Sequence, residues 1–354
     1  MGIDKSIITD FGCYVKKRGK KARFARNFQN LTRRKRRLAA LRQGVVGVVL
    51  GIVLPVTLLL PGQAMRYRGE VSLSPEQETW DSTQVLLIKD GDSILRMSIE
   101  EYITGVVLAE MGPSFETEAL KAQAVVARTY TLRRAERGGR HERCTVCTDH
   151  RCCQAFISPE EYIEQGGAQW EVEKVRSAVR QTDAMVLRYE GKLIDATYFS
   201  CSGGRTEDAV AVWGADIPYL QATDSPGEES AAAYSQSVSF TPQELMMALG
   251  RQLEGSPETW FSQPVYTNGG GVASLEIGGQ AYSGTQLRSL LGLRSTAFAV
   301  TVEDGEIVFE TRGFGHRVGM SQYGADAMAS SGAVCQEILC HYYQNVTYEK
   351  YRDK

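Results

Sequence analysis

Ile99, Tyr102, Ile103, Val106 and Val107 recur at helical spacing directly behind Ser98-Ile99-Glu100-Glu101, where a serine and a glutamate three residues on satisfy the free amides of a helix start. The pattern predicts a helix that stops at Gly112-Pro113 and carries Glu110 in its last turn. There the negative end of the helix dipole and the apolar neighbours Val107, Leu108 and Met111 oppose a charge on the side chain. A second, alanine-rich helix is expected from about Glu116 to the stop at Gly138-Gly139. Lys121, Ala124, Val125, Arg128 and Leu132 share one stripe of it, so two cations project from one face about 10 Å apart. They are placed to grip an anionic or hydroxyl-rich ligand beside Glu110. The plainer alternative is a pair of solvated helix charges and an ordinary helix-end glutamate.

Alternating stretches supply hairpins. Val85 to Ile88 and Ile94 to Met97 flank Asp90-Gly91, Ala184 to Tyr189 and Leu193 to Ser200 flank Glu190-Gly191, Ala273 to Ile277 and Gln280 to Tyr282 flank Gly278-Gly279, and Val300 to Val302 and Ile307 to Glu310 flank Asp304-Gly305. Helices are expected around Glu160 to Arg180, from the cap Thr241-Pro242-Gln243-Glu244, at Thr285 to Leu291, and from Ser321 through Tyr343 with a break near Gly332. Cys335, Leu339 and Tyr342 are expected in the core. The fold class is α+β: mixed helices and β-hairpins in a two-lobed body with a groove between the lobes.

Charge changes the picture at the front of the chain. Residues 1 to 43 carry 14 Lys+Arg against 2 Asp+Glu, a net +12 within a chain whose total is -2. Gly44 to Leu60 then runs 17 residues without a charge and reads as one transmembrane helix. The basic cluster Arg33-Arg34-Lys35-Arg36-Arg37 before it keeps the N-terminus cytoplasmic and places everything after Pro61 outside the cell membrane. The basic tail therefore reads as topology, with no nucleic-acid partner. A cleaved signal peptide is the competing reading, but its basic region would be unusually long. The expected organisation is a cytoplasmic tail (1–43), a membrane span (44–60), a polar linker (61–82) and an extracytoplasmic catalytic domain (83–354).

Four of the eight cysteines crowd into Cys144 to Cys153, with His141 and His150 beside them. Thiolate and imidazole are the donors Zn²⁺ selects, and Cys144 and Cys147 are spaced to reach one ion from a tight turn. Disulfides or free thiols are the alternative. The glycine-rich run Gly313 to Gly319 lacks the lysine-serine/threonine pair of a phosphate loop, which argues against nucleotide binding.

The stretch VVLAEMGPSFETEALKAQAVVARTYTLRR resembles the signature of the stage II sporulation protein D family, membrane-anchored lytic transglycosylases that cut peptidoglycan glycan strands. The resemblance implies that Glu110 is the catalytic acid/base and that Lys121 and Arg128 bind substrate. Cys153-Gln154-Ala155-Phe156 matches a family motif, which implies a zinc held by His141, Cys147 and Cys153; Cys144 and Cys152, themselves possible ligands, depart from that pattern and leave the fourth ligand open, with water or Glu110 as further candidates. The run Tyr198 to Gly204 resembles the family's Ser-Gly-Gly loop and implies contacts from Tyr198, Ser200 and Ser202. Glycines there let backbone amides point at a ligand. Trp213 is expected in the core, with stacking on a sugar face as the alternative. Gly313-Phe314-Gly315-His316 is similar to a family motif that makes His316 a pocket residue or a loop-ordering partner, although Arg317 stands where many relatives have glycine.

The activity so implied is cleavage between N-acetylmuramic acid and N-acetylglucosamine to leave 1,6-anhydro ends, during septal wall remodelling and engulfment in sporulation. The implied partners are peptidoglycan glycan strands, a peptidoglycan amidase/endopeptidase and another membrane protein of the engulfment complex. Two other functions fit the same residues: a zinc-dependent hydrolase or amidase, and a noncatalytic wall-binding scaffold.

Overall fold

The computed structural model describes residues 78–139 and 141–351. The tail, the span over 44–60 and most of the linker lie outside the described residues, and no helix among those described is long and apolar enough to cross a membrane. The linker's expected end is structured. Thr79 caps a short helix, α1 (Trp80–Thr83), with its hydroxyl accepting from the Ser82 N–H, and Asp81 is buried.

The first hairpin forms as β1 (Val85–Asp90) and β2 (Ser93–Ser98). Ser98 then caps α2 (Ile99–Glu110) in a reciprocal box with Glu101, as the sequence requires. The alanine-rich helix is α3 (Thr117–Glu136), and it is buried almost all the way round. Its small side chains at Ala119, Ala122, Ala124 and Ala127 let neighbours approach on every side, which makes it the axis of the first core rather than a surface helix.

A short strand, β3 (Val146–Cys147), pairs in parallel with β1. The helix expected over 160–180 is two helices, α4 (Pro159–Glu164) and α5 (Gln169–Gln181). Gly166 takes φ +100°, and the Tyr162 ring fills the space where a Cβ on Gly167 would stand, so the chain turns there. The next hairpin is β4 (Met185–Tyr189) and β5 (Lys192–Leu193), after which β6 (Tyr198–Phe199) and the helix α6 (Ala209–Trp213) follow.

A second hydrophobic core is built from β7 (Ser235–Phe240), α7 (Pro242–Leu249), β9 (Val272–Ile277), β10 (Gln280–Tyr282), α8 (Gly284–Leu291), β11 (Ala297–Glu303) and β12 (Glu306–Arg312), with an exposed strand β8 (Val265–Tyr266) paired on the edge of β9. Phe309 is its centre, with the rings of Phe240, Phe261 and Phe298 set edge-on around it. This lobe is an excursion from the first. Its ends meet where the Gly313 N–H donates to the Tyr234 carbonyl at 2.7 Å. The chain then returns as β13 (Met320–Ser321), paired in parallel with β6, and closes the first core with α9 (Gln322–Ser330), α10 (Cys335–Tyr342) and β14 (Thr347–Lys350) against β4. Cys335, Leu339 and Tyr342 are buried as expected.

Candidate active site

The stop of α2 at Gly112 leaves Glu110 half-buried on the wall of a cleft of about 570 Å³. The cleft is lined from the first lobe by Glu110, Tyr130, Gln154, Tyr198, Ser200 and Gln322, and from the second by Arg288 of α8. His316 lies on the returning segment and lines it too. Among the described residues lining it, Glu110 is the one carboxylate.

Glu110 is held more firmly than its apolar neighbours suggest. Its Oε1 accepts the Ala155 N–H at 2.9 Å and lies 3.2 Å from the Tyr198 hydroxyl, while Oε2 accepts the Gln322 amide at 3.5 Å. Tyr198 also reaches Gln154 Oε1 at 3.2 Å, and the Gln154 amide donates to Tyr102 at 3.3 Å and to Thr131 at 3.2 Å. Burial, with the charge of Glu110 next in weight, pushes the Tyr198 phenol well above its ordinary range, so it remains a donor. One carboxylate oxygen thus takes two donors and the other a single long contact, on a side chain that lines the cleft. Gln154 stands in the Cys153–Phe156 motif and Gln322 at the start of α9; a glutamine carries no charge or metal-binding signature by which sequence could mark either.

Ser200 lines the cleft beside Tyr198. The His316 Nδ1 accepts the Val318 N–H at 3.1 Å, so this residue both lines the cleft and orders its own loop. Burial and the nearby Arg288 lower its pKa to about 4, which keeps the imidazole neutral in ordinary conditions. Trp213 is not in the core: it is 36% exposed and packs its ring on His316, centroids 5.3 Å apart. Arg317 holds φ +66°, a conformation glycine adopts freely, and it anchors the loop by donating to the carbonyls of Ser202, Arg205 and Gly269.

Three expected substrate contacts lie elsewhere. With Tyr130 of α3 turned to the cleft, Arg128 and Lys121 stand two and nine residues back, about 160° and about 180° around the helix, so they point away from it. Arg128 is fully buried; its Nε lies 2.8 and 3.0 Å from the two Asp81 oxygens, and its other nitrogens donate to the carbonyls of Met185 and Val179. Lys121 is paired with Glu118 at 2.6 Å, and Glu118 also accepts the Cys335 N–H. Ser202 is fully buried, and the amides of its Ser-Gly-Gly turn converge on the protein's own Glu228 rather than on a ligand, with the N–H groups of Ser202 and Gly203 at 2.8 and 2.9 Å.

The cysteine-rich loop gathers His141, Cys147, Cys152 and Cys153, whose donor atoms all lie within 4.8 Å of one another. Cys144 is outside the group although its spacing favoured it; it is as buried as Cys147 and pairs its backbone with His141. Neither Glu110 nor His150 belongs to the group, and His150 lies at the cleft. Bonds of ~2.3 Å to sulfur and ~2.0–2.1 Å to nitrogen set the S···N edge of a tetrahedral zinc site at about 3.6 Å. His141 Nε2 lies 3.6 Å from Cys152 Sγ and 3.5 Å from Cys153 Sγ, so the donor set fits such an ion.

Residues 89–189, which hold Glu110 and this group, match the family model described as "Stage II sporulation protein". A stage II sporulation protein D of Bacillus amyloliquefaciens is 35% identical over 317 residues, covering 84% of this chain and 92% of its own length. One from Bacillus subtilis is 38% identical over 258 residues, covering 72% of this chain and 75% of its own. An amidase enhancer of Bacillus subtilis is 28% identical over 302 residues, which is 70% of this chain but 40% of that protein. By the extent and identity of the first two matches, the chain belongs to the stage II sporulation protein D family.

Proposed function

We propose that the cleft is the active site of a lytic transglycosylase that cuts peptidoglycan glycan strands between N-acetylmuramic acid and N-acetylglucosamine. The observation that carries this reading is that Glu110 is the one carboxylate among the described residues lining the cleft. Glycosidases that add water place two carboxylates across the bond. A transglycosylase can work with one. Glu110, in its acid form, gives its proton from Oε2 to the glycosidic oxygen, and the C1–O bond breaks. The C6 hydroxyl of the same muramic acid then bonds to C1 and returns its proton to Glu110, which leaves a 1,6-anhydro end and a restored acid. Tyr198 and the Ala155 N–H fix the side chain so that this oxygen meets the strand.

His141, Cys147 and Cys153 would hold Zn²⁺ in this reading. Bound there, the metal supplies a fixed cross-link at the root of the segment that carries Ala155. The proposed setting is the engulfing membrane of a sporulating cell: the chain anchored through residues 44–60, the cleft outside, working beside a peptidoglycan amidase/endopeptidase and a membrane partner. Tyr198 and Ser200 contact the strand, with His316 shaping the wall.

The test is mass spectrometry of products from purified peptidoglycan incubated with the full-length protein. Ends lighter by one water than a reducing sugar are expected. Water-added reducing ends would replace this reading with a hydrolase, and free stem peptides would replace it with an amidase. Tyr198→Phe is expected to lower the cleavage rate about fivefold with the melting temperature little changed, because about 1 kcal/mol of orientation is lost at one oxygen. An unchanged rate in that variant would remove Tyr198 from the mechanism.

A further inference from the structure

We infer that Cys152 is the fourth protein ligand of the metal site, so that this chain closes its zinc coordination with three thiolates and one imidazole. The inference rests on the zinc part of the preceding proposal and goes beyond the three ligands the family pattern implies. Its basis is geometric. Cys152 Sγ stands as far from His141 Nε2 as Cys153 Sγ does, 3.6 against 3.5 Å, and both match the edge of a tetrahedron about one zinc. All four donor atoms fall within 4.8 Å of one another, while Cys144 and Glu110, the other groups at hand, do not join them.

The backbone explains how neighbouring cysteines serve one ion. Both the Cys152 and Cys153 N–H groups donate to the Asp149 carbonyl, at 2.9 and 2.8 Å, in a tight turn that brings both sulfurs round to His141. Four protein ligands leave no position for an activating water, the arrangement of structural rather than catalytic zinc. The closed site bears on chemistry through the chain. Cys153 is followed by Gln154, which holds Tyr198, and by Ala155, whose N–H holds Glu110. The metal is a positioning clamp one and two residues from the groups that aim the acid.

Cobalt substitution of the full-length protein tests this, since thiolate-to-Co²⁺ charge-transfer intensity in the near ultraviolet scales with the number of bound thiolates. Three thiolates are expected in the unaltered protein. Cys152→Ser should lose about a third of that intensity and bind zinc at least about tenfold more weakly, as Cys153→Ser should, while Cys144→Ser changes neither. A Cys152→Ser spectrum identical to the parent's overturns the closed site while leaving a three-ligand zinc in place. Failure of the unaltered chain to take up cobalt or zinc overturns the zinc reading as well. Amide exchange supplies the second readout: chelation should remove protection at Ala155, and protection unaltered by chelation would overturn the clamp.

Discussion

Glu110→Gln is expected to lower glycan cleavage by about 10²–10⁴-fold, the usual worth of a positioned acid/base. The substitution is conservative in shape: the amide oxygen of glutamine can still accept the Ala155 N–H and the Tyr198 hydroxyl that now converge on Oε1. Folding and strand binding should therefore survive while proton transfer does not. The measurement is the rate of 1,6-anhydro end formation, set beside the melting temperature and glycan pull-down of the same variant. A variant that cuts at the parental rate would dismiss Glu110 as the acid. A variant that neither cuts nor affects spore formation, where the parent also yields no products, would favour a wall-binding scaffold.

Arg128→Ala is expected to cost about 3–5 kcal/mol of folding stability, read from urea denaturation at neutral pH, because it strands a buried carboxylate. Burial already pushes the Asp81 carboxyl up against the lowering effect of Arg128, and without the arginine it should rise further. The sign of the pH dependence follows. A carboxyl whose folded pKa exceeds its unfolded value favours folding when protonated, and that contribution is lost as pH rises through the folded pKa. The deficit of the variant should thus narrow in mild acid, and Asp81→Asn in the same chain should recover part of it. An Arg128→Ala protein of parental stability that fails to bind glycan would instead restore the ligand contact implied by family resemblance.

What the sequence could and could not disclose divides along physical lines. Ser98, Thr241 and most of the glycine turns act within a few residues, so their caps and hairpins are found where the pattern puts them, whereas the strand expected over Leu193 to Ser200 ends at Leu193 and its far end, Tyr198–Phe199, pairs with β13 instead. Glu110 was legible because a helix stop is a local event. Arg128 and Lys121 were misplaced because a stripe shows which side chains share a face but not what that face meets, and α3 is surrounded. The same limit applies to Ser202, whose glycine turn shows open amides but not the distant Glu228 that fills them. Strands β7 and β14 escaped notice, since polar edges such as Ser235–Phe240 acquire their identity from a partner far along the chain. The role of Cys152 stays open in the sequence because it departs from the family pattern, and the turn at Asp149 is what brings it to the other donors.

The hydrogen bond from Gly313 to Tyr234 has an evolutionary meaning. A lobe that leaves and re-enters its host through adjoining points can lengthen, shrink or be exchanged without disturbing the register of β6 and β13, and chain segments of this kind are tolerated as insertions. Glu110, Tyr198 and Gln154 belong to the host, whereas Arg288 rides on the excursion. The proposed acid and one wall of the cleft therefore sit on separable stretches of chain, and the wall can vary while Glu110 and its partners stay unchanged.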